Sequence, residues 1–117
     1  MIWTLTQVAL GGAIGSVLRY LTVAGIGAPV ATLVINVAGS FAMGVLFIAL
    51  SNRIQFSPLV MTGVLGGFTT FSAFSLDALK LWQSGQTTAA LSYVAASVGL
   101  SLLAVALGAT LTERLTA

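Results

Sequence analysis

The strongest constraint on this chain is how little charge separates its long apolar runs. Runs from Trp3 to about Leu21, Val30 to Leu50, Leu59 to about Leu76 and about Thr88 to Leu111 fill most of the 117 residues. Each is close to the ~20 residues a helix needs to cross the hydrocarbon layer of a membrane. With 58% hydrophobic and 5% charged side chains, too little polar surface remains to wrap a water-soluble core. The expected fold is an all-α membrane protein with four transmembrane helices, a single transmembrane domain over residues 1–117, in the cell (inner) membrane. Met1–Gln7 has neither the positive region nor the cleavage site of a signal peptide, so the first run is read as a retained span.

The side-chain inventory removes several functions. Cysteine and histidine are absent, and the two acidic residues, Asp77 and Glu113, lie in different segments. No side-chain metal cluster and no Cys/His nucleophile can be assembled from these, so an enzyme is not expected. Four basic residues scattered along the chain give a net charge of +2, too sparse for a nucleic-acid surface. Membrane lipid is the expected surrounding.

The linkers Gly25–Pro29, Ser51–Ser57 and Lys80–Thr87 are short, and the basic residues divide evenly across them. Arg53 and Arg114 fall on one side of the membrane, Arg19 and Lys80 on the other. Without a charge bias a protein can insert both ways, and two opposed copies then pair as an antiparallel, dual-topology homodimer. The alternative is a heteromeric partner or an insertion factor that sets the orientation. Gly11 and Gly15 on the first span, and Gly63 and Gly67 on the third, repeat at i, i+4. That spacing lets helix backbones touch, either between copies or within one chain.

Polar groups inside hydrocarbon are costly and must face one another, a partner or a watery path. Asn36 in the second span offers a carboxamide, for an interhelical hydrogen bond or for a conducted ion. Tyr93, Ser97 and Ser101 stand at i, i+4 and i+8, a stripe of hydroxyls that serves either a track or backbone carbonyls one turn back. In "GGFTTFSAF", Gly66–Phe74, two glycines and two hydroxyl-bearing residues disfavour helix, and the third span is expected to break near its middle, around Gly66–Thr70. A break frees carbonyls, which are good ligands for a hard cation such as Na+. Phe71 and Phe74, at i, i+3, share a face, for packing or for presenting positively polarised ring edges to an anion.

Together "GGAIGSVLRY" (Gly11–Tyr20), "NVAGSFAMG" (Asn36–Gly44), "GGFTTFSAF" and the Tyr-x3-Ser-x3-Ser stripe resemble, in order and spacing, the Fluc/CrcB family of fluoride channels. The resemblance implies an antiparallel homodimer with two pores, a structural Na+ that is not transported, and passive, selective export of fluoride that lowers its toxicity. It implies that the backbone carbonyls of Gly66 and Thr69 hold the Na+. Asn36, Phe71, Phe74, Ser72, Tyr93, Ser97 and Ser101 then belong to the fluoride pathway, with Arg19, matching the basic residue at the end of the first helix, either attracting anions by its field or anchoring the helix end at the interface. Ala73 departs from the family pattern, which commonly has threonine there. Asp77 and Lys80, at i, i+3, are expected to form an interfacial ion pair with little part in transport.

Two other readings compete. A small dual-topology multidrug exporter shares the four spans, but proton exchange needs a membrane-embedded carboxylate, and the first span has none. A purely structural subunit would use the glycines and have no need of the hydroxyl stripe or the phenylalanine pair.

Overall fold

In the computed structural model, which describes residues 1–117, every regular element is helical. Helix α1 (Ile2–Ile26) and helix α2 (Val30–Ala49) form the first two spans. The third begins with a 3-10 turn, Ile54–Phe56, and a wide π-helical segment, Pro58–Leu65, that runs into the short α3 (Gly66–Phe68). It resumes as α4 (Ser72–Gln83), and α5 (Thr87–Thr116) completes the chain. All four spans are long and apolar enough to cross a membrane. Gly27, at φ 87°, ends α1, and Gly85, at φ 81°, turns α4 into α5. A side chain at either position would strain the left-handed backbone.

Helices α1 and α5 outrun their apolar stretches, to Ile26 and Thr116. Staying helical keeps the backbone groups paired until the polar ends of the spans reach the headgroup region. At ~1.5 Å per residue α5 is about 45 Å long, matching the 48 Å longest dimension of the molecule. Only 17 of 117 residues are buried, while Leu10, Phe47, Leu103 and Leu107 point outward. An exterior of this kind is stable against lipid tails and not against water, and the chain is a multi-pass membrane protein.

Glycines set the packing. A methyl group on Gly15 would overlap the Val64 carbonyl oxygen, and one on Gly11 the Leu59 carbonyl oxygen. Gly63 faces Gly11, and Gly67 faces Gly12. The i, i+4 spacings are therefore used within one chain, where they seat α1 against the first half of the third span. Helices α2 and α5 meet the same way, Gly44 against the Val105 carbonyl and Gly108 against that of Phe41. Ile35 and Thr32 of α2, both fully enclosed, lie at the centre.

The break falls in the later part of the expected Gly66–Thr70 stretch. Gly66 and Gly67 remain helical, and the chain becomes extended at Thr69, with φ −79° and ψ 155°. The cause is tertiary. Gly67 is needed bare and helical against α1, while the amide that leaves the helical ladder is that of Thr70.

Candidate functional site

The break is held open from α2. Asn36 grips the backbone of Thr70 at both ends, its Nδ2 donating to the Thr70 carbonyl at 2.9 Å and its Oδ1 accepting from the Thr70 N–H at 2.8 Å. Thr70 Oγ1 in turn accepts from the Ala73 N–H at 3.1 Å and caps the start of α4. These two bonds divert the amides that would otherwise have reached the Gly66 and Thr69 carbonyls, and neither carbonyl has another hydrogen-bond donor. On the far side of the break the N–H groups of Phe71 and Phe74 have no carbonyl partner. Free carbonyls thus end one half-helix and free N–H groups begin the next, so opposite partial charges meet at membrane depth. The two carbonyls fit a hard monovalent cation such as Na+: they are uncharged oxygens, unpartnered, and both at the wall of one cleft.

That cleft, of about 470 Å3, gathers most of the residues singled out in the sequence: Asn36, Gly66, Thr69, Phe71, Phe74, Ser97 and Ser101. Phe71 stands 76% exposed at its rim and Phe74 is buried. Their rings meet edge to face, with centroids 5.3 Å apart and planes at 66°. Ser97 and Ser101 Oγ are shielded from solvent and have no hydrogen-bond partner. Several other hydroxyls on or beside the helices do have a partner. Those of Thr6, Thr22, Thr69, Ser75, Thr112 and Thr116 all donate to the carbonyl four residues back.

Three of the chosen residues do not line the cleft. Tyr93 lies just beyond it, its ring 5.4 Å from that of Phe74. Ser72 is exposed on the first turn of α4, its hydroxyl 3.4 Å from that of Thr70. Arg19 is not at the end of its helix, because α1 continues to Ile26. Its Nε donates to the Gly67 carbonyl at 3.2 Å, so a cation already satisfies one carbonyl behind the break.

The expected Asp77–Lys80 ion pair does not form. Asp77 is buried, and its carboxylate accepts from Thr32 Oγ1 at 2.6 Å and from the Tyr93 hydroxyl at 3.3 Å. The helical turn that puts it i+3 from Phe74 carries it inward, and neighbouring hydroxyls take the place of the lysine. Sequence reasoning also passed over Thr32 and Ser40. The signal was present: Thr32, Asn36 and Ser40 repeat at i, i+4 and i+8 on α2, the same spacing as Tyr93, Ser97 and Ser101 on α5. Ser40 lines the cleft and Thr32 binds Asp77, so two polar stripes flank the broken helix.

A family model described as CrcB-like protein, Camphor Resistance (CrcB), matches residues 6–109. This chain belongs to the CrcB family. Among its CrcB relatives, a protein of Cereibacter sphaeroides is 54% identical over 109 residues, spanning 87% of this chain and 88% of its own. One from Paracoccus denitrificans is 50% identical over 117 residues, spanning 92% of each. One from Saccharophagus degradans is 48% identical over 117 residues, spanning 92% of this chain and 88% of the relative. Each of the three is named a fluoride-specific ion channel, FluC, a role that involves no enzymatic step. The CrcB assignment agrees with the family suggested by the motifs.

Proposed function

We propose that this CrcB protein is a fluoride-selective channel through which fluoride leaves the cell down its own gradient, lowering the toxicity of fluoride inside. The observation that carries the reading is the pair of buried, unpartnered hydroxyls, Ser97 and Ser101, on a cleft that also contains two edge-to-face phenyl rings. Fluoride is small and tightly hydrated, so a path must replace its water with donors without a fixed charge that would trap it. The serine hydroxyls, the second N–H of the Asn36 amide and the ring edges of Phe71 and Phe74 are such donors. No lysine or arginine lines the cleft. Tyr93 extends the track past Phe74, and Ser72 lies beside its entrance.

The working unit in this reading is an antiparallel homodimer. Free carbonyls and an exposed phenyl ring at membrane depth need cover, and a second copy supplies it across the cleft. The even split of basic residues permits the opposed orientation. The carbonyls of Gly66 and Thr69 from both copies would hold a structural Na+, which when bound supplies a fixed positive charge that joins the two broken helices. Sodium, compared with a large organic cation, is then expected to raise the unfolding temperature of the purified protein.

The test is efflux from liposomes. Fluoride should leave without a proton gradient, and chloride should be slower by orders of magnitude. Equal rates for the two anions would remove the selectivity, and a requirement for a proton gradient would favour a coupled transporter built on Asp77.

A further inference from the structure

A second cleft, of about 340 Å3, opens where α4 ends. Asp77, Lys80, Ser84 and Gln86 line it together with Ala28 and Pro29 of the α1–α2 turn. Three side chains link it to the first cleft: Phe74 lines the first, Asp77 lines the second, and Tyr93 touches both, by its ring and by its hydroxyl. The polar track therefore continues into a second opening, whose innermost wall carries a carboxylate.

That carboxylate is an obstacle to an anion. Its partners, Thr32 and Tyr93, are hydroxyls and bring no positive charge to it. The one cation of the cleft is Lys80, one helical turn beyond Asp77, exposed and not paired with it. Arg19, the basic residue that the sequence suggested for attracting anions, lines neither cleft and is bonded to the Gly67 carbonyl. Ser84 and Gln86 are bonded to each other and to the Leu81 carbonyl.

We infer that this cleft is the second mouth of the fluoride path and that Lys80 sets the anion concentration there, offsetting Asp77 by its field without holding the ion. The inference rests on the fluoride-channel reading. A hydrated ammonium on a flexible stem suits the task, because it acts at a distance and lets the ion go. An effect of this kind is screened by salt, whereas a packing or folding effect is not.

The experiment measures initial fluoride efflux from proteoliposomes below saturating fluoride. Sodium is held constant and ionic strength is varied with an impermeant organic salt. At low ionic strength K80Q is expected to lower efflux about threefold and K80E about tenfold, with both deficits closing to within about twofold near 1 M salt. K80R, which keeps the charge, should retain the wild-type salt profile. R114Q makes the same change in net charge at a residue that lines neither cleft and lies about 40 Å away along α5 of the same copy, and should conduct as wild type does. If wild type conducts but K80E matches it at every ionic strength, or shows a deficit that salt does not relieve, the assignment of Lys80 is overturned. If wild type passes no fluoride, the channel reading itself fails and takes this inference with it.

Discussion

The two halves of the third span are held in opposite ways. From Pro58 to Phe68 the chain lies backbone to backbone on α1, with Gly63 and Gly67 against Gly11 and Gly12 and with Gly15 under the Val64 carbonyl. From Ser72 to Gln83 it is held by side chains, through the rings of Phe71, Phe74 and Tyr93 and the bonds that Thr32 and Tyr93 donate to Asp77. At Gly11, Gly15 and Gly67 the first half leaves no room for a side-chain carbon. The second projects polar and aromatic groups toward the clefts, and the free donors and acceptors collect at the junction. Close backbone packing on one side of the break positions chemistry on the other.

Substitutions separate the two. The largest effect belongs to the scaffold: Gly15→Val drives a side chain into backbone that cannot move aside. It should cost at least the ~1–3 kcal/mol typical of overpacking, seen as loss of folded protein in detergent. Phe74→Ile should lower fluoride efflux more than about tenfold, a loss of roughly 1.4 kcal/mol or more, while leaving the assembled protein intact; unchanged efflux would remove the ring edges from the account. Gly12→Ala, on the same helix as Gly15 but with open space at its own Cβ position, should raise stability by about 0.5–1 kcal/mol in thermal unfolding. Thr112→Ala should change least. Its hydroxyl is already bonded to the Gly108 carbonyl, so efflux should stay at the wild-type rate and stability should fall by no more than about 1 kcal/mol.

The scaffold was the more legible part in the sequence. Span length and lack of charge fixed four helices, and the glycine spacings named the right contacts while leaving open whether they lay within one chain. "GGFTTFSAF" announced a break, but its position depended on which residues α1 and α2 claimed. Helix α1 takes Gly67 and Asn36 takes Thr70, neither of which local propensity can report. The hydroxyl stripe of α5 was visible because three polar residues repeat in an apolar run. The matching stripe of α2 was missed because Thr32 and Ser40 look like ordinary helix-compatible residues until Asn36 is placed between them. Asp77 was misread for a related reason. An i, i+3 lysine is the nearest partner along the sequence, but the helix turns the carboxylate toward α2 and α5, where hydroxyls are closer in space. The π-helical turns of Pro58–Leu65 had no sequence signal that we recognise.

The central claim is that two hydroxyls are left without partners because a passing anion is their partner. It is tested most directly by fluoride efflux and thermal unfolding measured together on the double variant S97A/S101A. The account predicts that efflux falls at least about tenfold while the unfolding temperature holds or rises, because removing an unpaired buried hydroxyl relieves a desolvation cost. Wild-type efflux from a stable double variant would contradict it.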